Sequence, residues 1–304
     1  MVTRDETLSA RSAGAAGGPA APRRVLAHRR YRVLAPESWH DTHVVELWGF
    51  RHVISYFGWT FITRRFRGTW LGWLWLPLRP TIQLLQRGLV FGAMLKVGSG
   101  DRPYIVFLLV GQAAWDYFDR AAFFSLRSIK YSKQLQKVRM PWVTATIGTI
   151  IPGVVDAAFY VVVAAIVCTY YKLTQGSFYI TLGRATPGAL LGVLLLTAWI
   201  IAVGSLAAPL VYKVPDARYI LRYFFGFLVY LTPVIYPTSS LQGYQALATY
   251  NPLTAPLELI KNGLLGTGAP AAGSMLASFV GLAVLLPLGL LVIARTQRTA
   301  DARL

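Results

Sequence analysis

The chain has 304 residues, 55% of them hydrophobic, a mean hydropathy of +0.49 and a formal charge of +18. Soluble domains average about 45–50% apolar residues, and here the excess is gathered into runs nearly free of charge, Ala157 to Tyr171, Leu190 to Tyr212 and Phe279 to Ala294. Roughly 18 or more such residues match the hydrocarbon core of a bilayer, which excludes a wholly soluble chain. The positive charge excludes little by itself and is not a nucleic-acid signature. Much of it lies before Trp39 and in short loops between apolar runs, where membrane topology puts Lys and Arg.

Residues 1–38, rich in Ala, Gly, Pro and Arg, predict a disordered cytoplasmic tail. No apolar run follows its charges, as a secretory signal would require. From Val44 to Phe61 apolar and polar residues mix too closely for a span. Residues 39–68 therefore predict an amphipathic interface helix that ends in the basic cluster Arg64, Arg65 and Arg67. The transmembrane domain is expected over 69–295, with span one from Trp70 to Leu95 anchored by Trp70, Trp73 and Trp75. Further spans are expected over Tyr104–Phe124, Val143–Tyr171, Pro187–Val211, Tyr219–Tyr236 and Ala271–Ala294. Residues 237–270, broken by Pro237, Pro252 and Pro256, predict short re-entrant helices packed against protein. Residues 296–304 form a second cytoplasmic tail. The N-terminal tail, 125–140, 212–222 and the C-terminus are basic, whereas 96–103, 172–187 and 237–270 are poor in charge. The alternation predicts an all-α, multi-pass integral membrane protein of about six transmembrane helices with both termini cytoplasmic.

Catalytic signatures are missing: there is no Walker A, GxSxG or HExxH motif. His28, His40, His43 and His52 all precede the first span, and Cys168 stands alone in an apolar run. The expectation is a chain that is not an enzyme and holds no cofactor or metal. Three constellations stand out. Arg79, Gln83, Gln86 and Arg87 share one helix face, within an arc of about 100°. On a continuous helix Arg79 lies roughly 18 Å beyond Arg67, so it must face water, substrate or a carboxylate such as Asp116 or Asp156. Asp116 and Arg120 are spaced to pair on one helix, beside Trp115 and Asp119. Aromatic residues crowd span five, among them Tyr223, Phe227 and Tyr230, and suit stacking against sugar rings as well as plain packing. The candidate channel set is Arg79, Gln83, Gln86, Arg87, Trp115, Tyr223, Phe227 and Tyr230. Arg64, Arg65 and Arg67 are candidates for docking a lipid pyrophosphate, because guanidinium binds phosphate bidentately.

The stretch from Arg64 to Trp75, Arg-Arg-Phe-Arg-Gly-Thr-Trp-Leu-Gly-Trp-Leu-Trp, followed by Pro80, resembles the first-span signature of a known family. That family comprises the membrane subunits of ABC exporters for O-antigen, teichoic acid and related polysaccharides. The run Pro103 to Gly111 with Trp115 and Phe118 is similar to its second span, and Leu135 to Pro141 resembles its Lys-Val-x-x-Pro element. Thr232 to Pro237, Tyr250 to Leu253 and Gly263 to Gly266 look like its late signatures. The likeness covers about residues 60–295. Phe66, Trp142, Asp116 and Asp119 depart from the family pattern.

The resemblance implies a homodimer in a bacterial inner membrane, with a channel between the copies and a polyprenyl-pyrophosphate-linked glycan as substrate. ATP and Mg would be bound by a separate ABC ATPase subunit. The basic loop with Arg127, Lys130, Lys133, Gln134 and Lys137 would be the coupling helix seated on it. Membrane lipid is the other expected partner. An exporter of a drug or small lipid would share this fold, and a membrane-bound glycosyl- or acyltransferase is the alternative from another class.

Overall fold

The computed structural model describes residues 49–98, 102–130, 141–180, 186–240, 243 and 245–301. The tail 1–38 and the coupling-loop residues Lys133, Gln134 and Lys137 lie outside them. The described residues belong to one compact unit, Val44–Leu304. Among them the fold is all-helical, 82% helix with no strand, as the apolar periodicity predicts.

Helix α1 spans Arg51–Phe66, followed by a 3₁₀ turn at Gly72–Leu74 and α2 at Trp75–Arg87. The backbone of α2 then loosens into a π-helical segment, Gly88–Met94. Next come α3 (Tyr104–Ser125), α4 (Trp142–Gly148), α5 (Ile150–Gln175), α6 (Thr186–Lys213) and α7 (Ala217–Leu231). After a 3₁₀ turn at Thr238–Ser240 the chain forms α8 (Gln245–Thr249), α9 (Thr254–Leu265) and α10 (Ala272–Asp301). Helices α4 and α5 are one rod interrupted at Thr149. Pro152 has no N–H to give to residue 148, and its ring crowds the carbonyl there. Helix α10 runs on past Arg295 through most of the expected C-terminal tail.

Three stretches are long and apolar enough to cross a membrane: Trp142–Gln175, Thr186–Lys213 and Ala272–Ala300. The chain is thus a membrane protein. The last of the three is the most apolar and the least enclosed, with 17% of its core window buried, as expected of a helix whose neighbours are lipid tails. Helix α3 is the reverse case. It packs against α5, α6 and α9 and is buried from Val106 to Gly111 and again around Trp115 to Ala122. Enclosed by protein on most sides, it carries Gln112, Asp116, Asp119 and Arg120 in its interior.

Helix α1 docks through Phe57, Gly58, Phe61, Ile62 and Phe66, a face repeating every three or four residues, onto α4 and α5. Gly58 permits the close approach, because a Cβ there would come within 2.5 Å of Ile151. Its outer face is not purely polar: Tyr56 and Trp59 are exposed beside Arg64. The helix predicted for the interface therefore has an inner face bound to protein and an aromatic outer face fit for the headgroup region.

The direction of the helices alternates. Ile129, Trp142, Ala208 and Ile293 pack together, so the end of α3, the start of α4 and the late turns of α6 and α10 meet at one end. At the other end Tyr104, opening α3, donates to the Ile235 carbonyl just beyond α7, at 2.8 Å.

Candidate functional site: a buried charge network

Three buried aspartates organise the interior. Asp156 on α5 accepts two hydrogen bonds from Nη1 of Arg65, each 2.9 Å, and Arg120 Nε lies 2.9 Å from its Oδ2. Asp116 on α3 accepts from Gln112 Nε2 at 2.9 Å and from the Tyr160 hydroxyl at 2.6 Å. Gln112 accepts in turn from Arg87. Asp119 accepts from Arg222 Nη1 at 3.0 Å, and the Arg222 guanidinium lies 4.9 Å from the centre of the Phe123 ring. Each carboxylate is met by guanidinium, amide or hydroxyl donors, the condition under which a buried charge is tolerated.

The expected Asp116–Arg120 pair does not form. Neutral donors satisfy Asp116, and Arg120 turns instead to Asp156 on the neighbouring helix. Asp156 is indeed a partner for buried arginine, as its position in an apolar run implies, but for Arg120 and Arg65 rather than Arg79.

Arg79 is left over. Among the described residues it has no ion pair or hydrogen bond, although Arg120, Arg65, Asp116 and Arg222 lie within electrostatic reach. One turn further, the Oε1 of Gln83 is buried with no partner. Gln86 faces outward, and Arg87 turns in to Gln112. The stripe thus divides into an outward amide, an inward anchor and, one to two turns earlier, a half-buried arginine with no ion pair and an amide whose buried oxygen has no partner. The continuous helix from Arg67 that set its expected depth is also not there. The chain turns at residues 67–71, with Gly68 at φ +80° and Gly72 at φ +49°, so α2 starts afresh at Trp75.

Tyr223, Phe227 and Tyr230 lie along one exposed face of α7, with Tyr223 81% exposed. Among the described residues nothing covers that face. Trp115 does not belong with them. It is 3% exposed in the core, packed on Phe118, and lines no surface of the chain. An aromatic on an enclosed helix is packing material, and of these four residues only the three on α7 turn their rings outward.

The basic cluster also separates. Arg65 is bound to Asp156, Arg67 is exposed, and Arg64 lines a cavity with Arg127, Lys130 and Arg218. One buried cation escaped the sequence reading altogether. Lys261 on α9 donates to the Pro233 carbonyl at 2.5 Å and the Val234 carbonyl at 3.1 Å, and sits 3.8 Å from the centre of the Phe107 ring. The available signal was a lysine three residues after Glu258 in a helix that is otherwise mostly apolar.

Replacing Tyr160 by Phe keeps the ring volume and removes one donor from Asp116, which is 5% exposed. An unsatisfied buried acceptor costs about 1–3 kcal/mol. Thermal unfolding in detergent should show that loss for Tyr160→Phe. Tyr117→Phe, which removes a hydroxyl shared with Thr197 at 2.7 Å, should cost less.

No protein-family model matches this chain, and no curated protein matches it.

Proposed function

We propose that this chain is the membrane channel subunit of an ATP-driven exporter that moves a polyprenyl-pyrophosphate-linked polysaccharide across the bacterial inner membrane. Two copies enclose the path, and a separate ABC ATPase drives it from the cytoplasmic side. About six spans with both termini cytoplasmic, and re-entrant helices α8 and α9, complete the topology. The observation that carries the proposal is the unmatched charge around Arg79. Arg65, Arg79, Arg87, Arg120 and Arg222 face only Asp116, Asp119 and Asp156, an excess of two positive charges inside the membrane domain. An excess of that sign favours a passing anion such as pyrophosphate. Arg79 has donors to give, the buried Oε1 of Gln83 can accept from a sugar hydroxyl, and the exposed aromatic face of α7 supplies stacking surface for sugar rings. Many weak contacts let a polymer slide without being trapped.

The test combines access and transport. In a Cys168→Ala background, Arg79→Cys, Gln83→Cys and Gln86→Cys should react with a water-soluble maleimide in membranes, and active export should slow the reaction. Arg79→Ala should cut glycan export roughly 10–100-fold at equal protein level, the equivalent of losing one charge-assisted hydrogen bond of about 1.5–3 kcal/mol. Full export by Arg79→Ala, or cysteines inert at all three positions, would sink the channel assignment.

A further inference from the structure

Helix α7 is held unequally at its two ends. Of its 15 residues only Ala217, Phe225 and Val229 are buried. Just past its last turn, polar groups from outside the helix pin the chain. Asn251 Nδ2 donates to the Leu231 carbonyl at 3.3 Å and to the Thr232 hydroxyl at 2.9 Å. Lys261 donates to the Pro233 and Val234 carbonyls, and Tyr104 to that of Ile235. Val234 and Ile235 are fully buried among these bonds. At the other end the backbone bonds are local: Val214 to Leu210, and Ala217, Arg218 and Tyr219 each to the residue three before it. Arg218 bonds only its neighbour Tyr219. Among the described residues, the hydrogen bonds of Arg222 to Asp119 are the only ones joining an α7 side chain to another helix, and both leave from Nη1. On the helix Arg222 lies at the edge between the buried side of Phe225 and Val229 and the exposed side of Tyr223, Phe227 and Tyr230. An ion pair at such an edge, with its guanidinium reaching water, is weak and yields to competing ions.

From this asymmetry we infer that Arg222 and Asp119 form a releasable latch: a phosphate-bearing ligand takes the guanidinium from Asp119, and the Arg222 side of α7 parts from α3 about the fixed end at residues 231–235. Phosphate is the fitting competitor, because guanidinium binds it bidentately and Arg222 gives Asp119 a single nitrogen. The freed Asp119 is solvated by the water that enters as the helix lifts. Cargo that carries pyrophosphate opens the helix itself, and α7 stays shut in its absence. Only the identity of the ligand rests on the proposed function; the hinge needs nothing beyond the bonds named above.

The reporter is a single cysteine in the full-length Cys168→Ala chain, held in phosphatidylcholine nanodiscs and labelled with a water-soluble maleimide. Phe225→Cys lies on the latch side and Val229→Cys beside the fixed end, and both parent side chains are 2% exposed. Asp119→Asn should speed labelling of Phe225→Cys about three- to fivefold, the range of an exposed ion pair. Asp119→Glu should keep it slow, and Val229→Cys should not respond. Sodium pyrophosphate should speed Phe225→Cys by a similar factor over sodium chloride of equal ionic strength. That effect should vanish in Arg222→Gln, whose labelling is already fast. Ala217→Cys, a smaller change at another buried position of the same end, repeats the measurement if Phe225→Cys does not fold. Phosphatidylglycerol nanodiscs without pyrophosphate should leave α7 shut, and opening there would assign Arg222 to bulk anionic lipid and overturn the inference. Equal labelling of the parent and Asp119→Asn, an equal rise at 225 and 229, or pyrophosphate no better than chloride overturns it too. Export is not measured here, so a failed latch leaves the channel assignment standing, and a failed channel assignment leaves the hinge to be read by Asp119→Asn alone.

Discussion

Asp156→Asn should destabilise the protein by about 3–5 kcal/mol, enough to keep it from accumulating. Asp156 is 4% exposed and holds two arginines, Arg65 from α1 and Arg120 from α3. Removing its charge leaves two guanidinium groups facing each other without a counter-ion, and breaking a buried pair from one side is far more costly than never having formed it. Two controls make the expectation specific. Asp119→Asn should cost only about 0–1 kcal/mol, because its partner Arg222 is 38% exposed and can turn to water. The triple change Arg65→Met, Arg120→Met, Asp156→Leu should recover most of the lost stability, since a whole buried ion cluster replaced by apolar groups is often neutral. Equilibrium unfolding in mixed micelles, with membrane yield as a second readout, measures all three. An Asp156→Asn protein as stable as the parent would mean that the network is not a structural bolt.

Gly111→Ala should cost at least about 1–3 kcal/mol, and Gly111→Leu considerably more. Gly111 is where α3 meets the turn after α7 and the side chain of Lys261. A Cβ there would lie 2.5 Å from the Val234 carbonyl oxygen and 2.8 Å from Cε of Lys261. The carbonyl is backbone and cannot swing aside. It also accepts from Lys261 Nζ, so moving it loosens the bond that holds the end of α7. Gly268→Ala, with nothing within 4 Å of the added carbon, should stay within about 0.5 kcal/mol of the parent. Thermal unfolding of the three proteins side by side decides the matter, and equal melting of Gly111→Leu and Gly268→Ala would remove the junction from the account of stability.

The helices that face lipid were the legible ones. The stretches behind α5, α6 and α10 announce themselves because lipid contact demands unbroken apolar residues; the first two end within about four residues of expectation, and α10 runs on to Asp301 where Ala294 was expected. Asp156 stood out for the same reason, as a lone charge in such a run. What the sequence hid was partnership. The spacing of Asp116 and Arg120 describes a contact on one helix, whereas the bonds that form reach Tyr160 and Asp156, some forty residues away. Helical spacing says which groups share a face and nothing about which helix packs opposite. Trp115 failed likewise: an aromatic in a span looks the same whether its face meets a pore or a neighbour. The turn between Arg67 and Gly72 was written in its two glycines, but a run rich in tryptophan and leucine reads as the start of a span and conceals the break.

The enclosure of α3 bears on how the chain is made. With Asp116, Asp119 and Arg120 near its middle, each disfavoured by about 2.5–3.5 kcal/mol in a lone helix at the bilayer centre, α3 does not partition into lipid by its own hydropathy. Its remedies arrive later in synthesis: Tyr160 and Asp156 on α5, Arg222 on α7. In the six-span topology proposed above, insertion of this segment is consequently a joint event: α3 becomes stable in the membrane only once α5 has emerged, and the order of residues along the chain becomes a timetable for biogenesis.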